Sequence, residues 1–403
     1  MKLRVLSLSI LLALISAFAI AQDIAPPTPQ RLDIHSKILN EDRVIWVRLP
    51  PGYDKSKAVY PVLYQTDAPG HVNETGGLVD YLVTNDRMPQ LILVGIVNTD
   101  RTRDLTPSHA EAKGPDGTPQ FPTSGGADKF LDFIQTELMP EIEHRYRVAP
   151  YKIFAGHSLG GLLAIHTLVN HPNMFDAYIA VSPSLQWDEG RTLHQAQQFF
   201  ASQKELNKTL FFSLASEGNT PNPMGENFNE FRKLLESHPI KGFTWKSERY
   251  PDEDHGSTTL LAHYAGLKTV FSDWQTPRDP QTFQFVGGLA GAEEHYRKLS
   301  ERYKYSIPIP ESGLNNFGYQ LMGEKKNDEA IAAFKRNVEL YPQSANVYDS
   351  LGEGYEAAGR YEDAANSFKK AIEMATKQND QGLPQFKQHL ERVTAEAKAG
   401  ASK

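Results

Sequence analysis

Between Asp33 and Pro50, apolar and polar residues alternate on either side of Asn40-Glu41-Asp42, which predicts a β-hairpin with one face turned inward. Further on the pattern changes. Apolar residues run together at Pro61 to Thr66, Leu91 to Val97, Lys152 to Ala155, Tyr178 to Ser182, Thr209 to Ala215 and Phe243 to Tyr250, as in strands covered on both faces. Helical periodicity lies between them, clearest at Asp128 to Tyr146 and Leu159 to Asn170. Strands alternating with helices predict an α/β domain, a doubly wound and mostly parallel sheet with helices on both faces. Two stretches break the rhythm. Asn98 to Ala127 is polar and rich in Gly and Pro, and a connection of that length in a compact domain is usually functional or disordered. Trp274 to Phe285, with Pro277 and Pro280, reads as a domain boundary.

Beyond that boundary the pattern is wholly helical and repeats itself. Leu314 and Tyr348, Phe317 and Leu351, Gly318 and Gly352, Leu321 and Tyr355, Ala330 and Ala364, and Phe334 and Phe368 are each 34 positions apart. This is the tetratricopeptide period, with small residues where paired helices touch and aromatic residues between them. Repeats are expected at 312–345 and 346–379, with Pro342 closing the first. Two units are fewer than such stacks usually need, so helices at Ala290 to Tyr305 and Leu383 to Ala397 are expected to cap them. Such a tail either offers a peptide-binding groove or is an appendage that packs on the first domain or pairs two chains. The appendage is the simpler reading.

The N-terminus adds a compartment. Lys2 and Arg4 precede an apolar core, Val5 to Ile20, that ends at Ala19-Ile20-Ala21, a small-x-small site for signal peptidase. Ser7, Ser9 and Ser16 interrupt this core, which argues against a retained membrane anchor. The organisation expected is a signal peptide at 1–21, a catalytic domain at 22–276, a linker at 277–289 and a helical domain at 290–403, exported to the periplasm or beyond. The chain has no cysteine, so export implies no disulfide framework. Losing Lys2 and Arg4 takes the net charge from −7 to −9, and nothing basic clusters, which argues against nucleic acid and anionic membranes as partners.

Chemistry enters at Gly156-His157-Ser158-Leu159-Gly160, set between an apolar strand and an apolar helix. A serine hydroxyl becomes a useful nucleophile when a sharp strand-to-helix turn lifts it out of the backbone and a base takes its proton. An acid and a histidine should follow in that order, each on a loop after a later strand. Glu217 follows the strand that ends at Ala215, and His255 follows the strand that ends at Tyr250. Asp252, Glu253 and Asp254 crowd the same histidine in sequence, but a side chain so near along one turn rarely reaches the distal ring nitrogen in line. The oxyanion needs two backbone donors: Leu159, after the nucleophile, and Ala68, on the loop after the first central strand, with Gly70 as fallback because Pro69 has no N–H. Asp67, His157, Arg101 and Trp187 are candidates for the pocket. Arg101 and Asp104 read either as contacts for an anionic or hydroxylated acyl group or as an ion pair pinning the long loop, with the ion pair slightly favoured. No metal-ligand cluster or phosphate loop is evident, so neither metal nor organic cofactor is implied.

Together, Tyr60 to Tyr64 with Asp67, Asn98 to Pro107, Gly156 to Gly161, Ser182 to Asp188 and Asp254-His255-Gly256 resemble the enterochelin-esterase-like esterase family, over about residues 30 to 275. The resemblance implies an α/β-hydrolase fold and kinship with S-formylglutathione hydrolases, feruloyl esterases and mycolyltransferases. The chain departs from the family in carrying Asp67-Ala68-Pro69 where Asp-Gly is common, and some relatives work with Ser and His alone. The resulting expectation is an exported serine hydrolase that cleaves a small-molecule carboxylic ester, such as a siderophore or a carbohydrate-linked acyl ester, through an acyl-enzyme. A serine peptidase or acyltransferase would use the same residues, and a non-catalytic scaffold acting through the repeats is the rival from another class.

Overall fold

Residues 27–68, 70–218 and 222–401 are described in the computed structural model of the protein, so the expected signal segment and Pro69 lie outside the described residues. The chain divides into two compact units between Ser272 and Asp273, a few residues ahead of the expected boundary. The stretch expected as a linker carries an isolated antiparallel bridge between Arg278 and Phe285, and the first long helix of the second unit begins at Gly288.

The first unit is built on eight strands: β1 (Gln30–Ser36), β2 (Glu41–Arg48), β3 (Tyr60–Ala68), β4 (Ile92–Val97), β5 (Val148–His157), β6 (Ala177–Val181), β7 (Thr209–Leu214) and β8 (Thr244–Arg249). They form one sheet in the order β1-β2-β4-β3-β5-β6-β7-β8. β1 and β2 pair antiparallel, as do β2 and β4; every later pairing is parallel. Five of the six apolar runs read in the sequence are inner strands, and every residue of β6 and β7 is buried because helices cover both faces; the sixth, Phe243 to Tyr250, is corrected, since β8 is the edge strand and none of its residues is buried. β1 alternates with exposed positions, as the hairpin pattern predicts.

The helices of this unit are α1 (Gly70–Thr84), the short α2 (Arg101–Leu105), α3 (Ala127–Phe133), α4 (Met139–Arg145), α5 (Leu159–Asn170), α6 (Trp187–Ser202), α7 (Pro223–Ser237) and α8 (Thr258–Val270). One π-helical turn, Ile134–Leu138, joins α3 to α4, so the single helix predicted over Asp128 to Tyr146 is continuous with a local bulge. α6 opens with three left-handed residues, Asp188, Glu189 and Gly190, before it becomes regular. Buried Arg43 anchors α2: its guanidinium donates to Asp104 at 2.6 Å, to Glu41 at 2.8 Å and to the Val97 carbonyl at 3.0 Å. With the Phe130 and Phe133 rings also against Arg43, the segment after β4 is fixed where it leaves the sheet.

Three adjacent strands end in a non-glycine residue with positive φ. These are Asp67 at the end of β3 (64°), Ser158 after β5 (61°) and Ser182 after β6 (39°). The pleat therefore stops abruptly along one stretch of the sheet's C-terminal edge.

The second unit holds α9 (Gly288–Tyr303), α10 (Glu311–Gly323), α11 (Asn327–Leu340), α12 (Ala345–Ala357), α13 (Tyr361–Gln378) and α14 (Leu383–Ala401). α10 with α11 and α12 with α13 are the two predicted repeats, and α9 and α14 are the flanking helices. Gly318 and Gly352 lie against Phe334 and Phe368, the small-against-aromatic pairing that the 34-residue spacing implies.

Candidate active site

Gly156 and Gly160 make the turn at Ser158 possible. A Cβ on Gly156 would run into the backbone of Gly160, and one on Gly160 into the Thr66 hydroxyl, so neither position has room for a side chain. Within this turn Ser158 takes φ 61° and ψ −113°, outside the helix that begins at Leu159. Its backbone is fixed on both sides: the Ser158 N–H donates to the Val181 carbonyl at 2.9 Å, while its own carbonyl accepts from Leu162 at 2.9 Å and Ser184 at 3.2 Å. The strained conformation persists because its surroundings over-determine it. Among the described residues, Ser158 Oγ has Ser184 Oγ as its hydrogen-bond partner, at 3.3 Å, rather than an imidazole nitrogen.

Glu217 and His255 come together from separate loops, after β7 and β8, with Glu217 Oε1 3.1 Å from His255 Nδ1. Burial alone would raise the Glu217 carboxyl, but hydrogen bonds, first of them with His255, hold it down at about 2. Glu217 is therefore an anion that accepts the Nδ1 proton and leaves Nε2 as the basic nitrogen. Asp254 is otherwise engaged: its Oδ1 accepts from the N–H groups of Gly256 at 2.8 Å and Ser257 at 2.7 Å, which closes the turn carrying His255. Asp252 lies on the exposed part of that turn.

Leu159 is the first residue of α5, where backbone N–H groups lack intrahelical partners. Ala68 is buried at the last position of β3, paired with Val97, and follows the left-handed Asp67. Asp67 holds that turn by its side chain: Oδ1 accepts from Asn98 Nδ2 at 2.5 Å and from Arg101 Nε at 2.6 Å, and Oδ2 from Arg101 at 3.2 Å. Arg101 also donates to the His157 carbonyl at 3.1 Å and so ties the β3 turn to the elbow. The expected pairing of Arg101 with Asp104 is corrected. Each has its own partner, Asp67 for Arg101 and the Arg43 and Arg103 guanidinium groups for Asp104.

A cleft of about 750 Å³ opens over Ser158 and Leu159, walled by Arg101, His109 to Ala112, Phe121, Ser184 and Gln186 to Glu189. Trp187 lies in its wall, with its ring 4.9 Å from that of Phe121 and its indole N–H donating to the Ser108 carbonyl at 3.0 Å. The long loop after β4 thus forms one side of the cleft. Phe121 and His109 carried no signal within that polar stretch. Ser184 could have been found from its place at the end of β6, next to the strand that ends at Ser158.

Asp67 and His157, expected at the pocket, do not line this cleft. Asp67 braces the β3 turn, and the His157 ring packs 4.5 Å from that of His255. Burial, and then the neighbouring His255 and His71 imidazoles, lower the His157 pKa to about 4, so this ring stays neutral beside His255 at ordinary pH. Behind it, His71 lies between His157 and the fully buried His263, and Glu74 contacts both His71 and His263.

Residues 36–233 match the family described as "Putative esterase", and residues 311–377 match the tetratricopeptide repeat. The ferri-bacillibactin esterase BesA of Bacillus subtilis is 30% identical over 238 residues, which are 54% of this chain and 81% of that protein. A siderophore enterobactin esterase of Emericella nidulans is 32% identical over 215 residues, 44% of this chain and 70% of that one. Among solved structures, an IroE-like serine hydrolase from Shewanella oneidensis superposes with a TM-score of 0.65 at 28% identity, over 78% of this chain and 98% of its own. The sheet order, the elbow and these likenesses agree: the chain belongs to the enterochelin-esterase-like family of α/β-hydrolases and is a carboxylic ester hydrolase with a tetratricopeptide-like C-terminal region.

Proposed function

We infer that the protein is an exported serine esterase acting on siderophore-type esters, with Ser158 as nucleophile, His255 as general base and acid, and Glu217 as the group that orients the imidazole. The observation that carries this reading is the left-handed Ser158 at the floor of a cleft, with an ionised Glu217 held against His255 at the same sheet edge. Ser158 Oγ exchanges its bond with Ser184 for one with His255 Nε2 when substrate enters, in keeping with the loose contacts of many unliganded sites. As Oγ attacks the ester carbonyl, Nε2 takes its proton and the amides of Leu159 and Ala68 receive the oxyanion. The protonated imidazole then gives that proton to the departing alkoxide. Water attacks the acyl-enzyme by the reverse sequence, with His255 again as base. His157, neutral beside His255, adds no like charge against the imidazolium that forms.

The relatives named as siderophore esterases support the substrate class. The cleft supports it too, since Phe121 and Trp187 offer aromatic faces and Arg101 and His109 offer polar contacts for a ring-bearing ester. Export rests on the first 21 residues of the sequence. Among the described residues no helix is long and apolar enough to cross a membrane. The helical unit is proposed to engage a protein partner or a second copy of the chain.

A fluorophosphonate probe should label Ser158, and Ser158→Ala should lower turnover of p-nitrophenyl butyrate by roughly 10³-fold or more with the fold intact. A Ser158→Ala protein that keeps a tenth of the wild-type rate refutes the nucleophile. Parallel assays on a catecholate trilactone and on a feruloylated saccharide then decide the acyl class, with faster turnover of the trilactone expected.

A further inference from the structure

The helix that carries Ser158 at its start carries two histidines at its other end. His166 and His171 both direct Nε2 at one oxygen, Asp128 Oδ1, at 2.7 and 3.2 Å. The three donor atoms lie within 4.8 Å of one another, and the two imidazole rings are 5.9 Å apart. Simple ion pairing would tend to spread two donors over both carboxylate oxygens, whereas these converge on a single point. For bonds of about 2.0–2.2 Å to a tetrahedral zinc ion, the separation between ligand atoms is about 3.3 Å. The observed spacings need only a small outward opening of the cluster.

The surroundings fit as well. His166 is 4% exposed and held by packing in α5, so its ring is placed before any ion arrives. Its Nδ1 has a partner of its own, Asn170 Nδ2, at 3.0 Å, and Asn170 is braced in turn by Gln195. Loading an ion at Nε2 requires Nδ1 to carry the proton, with the Asn170 and Gln195 amides both reversed so that Asn170 Oδ1 accepts from Nδ1–H and from Gln195, at the loss of the Asn170 bond to the His166 carbonyl. Asp128 and His171 are open to solvent, which gives an ion a way in and leaves room for water ligands. The site lies at the C-terminal end of α5, where the helix dipole favours a cation.

We propose that Asp128, His166 and His171 form a binding site for a divalent transition-metal ion of the zinc class, with water completing its coordination. The site is separate from the chemistry: eight residues of helical rise put it about 12 Å along α5 from Ser158. Its role is mechanical. Asp128 stands in the first turn of α3, directly after the long loop that walls the cleft, and this junction is already stitched to α2 and the residue that ends it, through Gly126 N–H to the Arg103 carbonyl and Ala127 N–H to the Thr106 carbonyl. A metal joining Asp128 to α5 fastens the end of the cleft wall to the helix that bears the nucleophile.

The test uses the full chain, stripped with a chelator and titrated with Zn²⁺ by calorimetry, with Co²⁺ as a spectroscopic probe. One tight equivalent is expected, together with the intense visible bands of four-coordinate Co²⁺. A saturating excess of Zn²⁺ should raise the unfolding midpoint by about 5 °C or more. Asp128→Asn and His171→Ala, both at accessible positions that do not threaten the core, should each weaken binding at least tenfold and abolish the thermal shift, with kcat on p-nitrophenyl butyrate unchanged. Absence of a tight equivalent in the wild type overturns the proposal. So does a tight equivalent that survives in the Asp128→Asn/His171→Ala double variant, because the ion would then be held by other residues.

Discussion

Glu217→Gln replaces the carboxylate facing His255 with a neutral amide of the same shape. Glu217 Oε1 sits 3.1 Å from His255 Nδ1, and its side chain is only 17% exposed. Burial pushes its carboxyl up, yet hydrogen bonding, led by His255, overcomes this and brings it from 4.5 to about 2. A depression of that size is a preference of about 3 kcal/mol for the anion beside its partner. Hydrogen bonds from Ser182 and the backbone share in that preference, so the part that acts on an imidazolium formed during turnover is at most about 3 kcal/mol, roughly two decades of rate. The amide also loses control of the tautomer, since it can donate to Nδ1 as readily as accept. The expected fall in kcat is therefore roughly 10³- to 10⁴-fold. Turnover of p-nitrophenyl butyrate, with circular dichroism to verify the fold, measures it against Asp252→Asn, Glu253→Gln and Asp254→Asn. Asp254→Asn should cost only what loosening its own turn costs, because its oxygen is committed to the backbone of Gly256 and Ser257. A Glu217→Gln enzyme within tenfold of wild type refutes the assignment and leaves a Ser-His dyad.

His157 predicts an acid limb in stability: the unfolded chain takes up its proton near pH 6.5 but the folded chain only near pH 4, so stability falls by about 3 kcal/mol as the pH drops through that window. Urea midpoints should fall more steeply for the wild type than for His157→Gln, and parallel slopes would rule the reading out. In the helical unit, a Cβ on Gly352 would sit 2.5 Å from Phe368 Cε1. Gly352→Ala should therefore lower the thermal stability of that unit by about 1–2 kcal/mol, despite the better helix propensity of Ala, and leave ester turnover unchanged; a stabilised variant would show that the helices do not pack this tightly. The intact mass of protein from its native host should correspond to a chain starting at or next to Gln22, and an uncut chain in the cytoplasm would contradict export.

Runs of buried residues were legible wherever both faces of a strand are covered, as in β6 and β7, and the elbow was legible because its glycines are dictated by close backbone approach. The 34-residue repeat gave its helices for the same reason, since Gly318 and Gly352 have no room for a side chain. What the sequence left hidden lies in contacts between residues far apart in the chain. Nothing local tells that Arg101 pairs with Asp67 rather than with Asp104, since both carboxylates are within reach of an arginine on a short helix. His157 sits beside the nucleophile in sequence, yet its ring packs on that of His255 instead of lining the cleft, because successive residues leave a strand on opposite faces. Phe121 joins the cleft only because the loop folds back onto Trp187, a contact without periodicity to announce it.

The three left-handed residues at the ends of β3, β5 and β6 have a consequence for how the enzyme can be improved. Each non-glycine residue held there costs about 1–3 kcal/mol, a sum comparable with the whole net stability of many domains. Replacing Asp67 or Ser182 with glycine would relieve the backbone at that position but remove side-chain bonds that offset the strain, since the Ser182 hydroxyl accepts from the buried Ala215 N–H. Asp67 is also the anchor for Asn98 and Arg101, and Ser182 lies beside the turn that leads to Ser184. Selection for heat resistance therefore gains little at these turns, and thermostable variants should be sought on the surfaces of the distant helices instead.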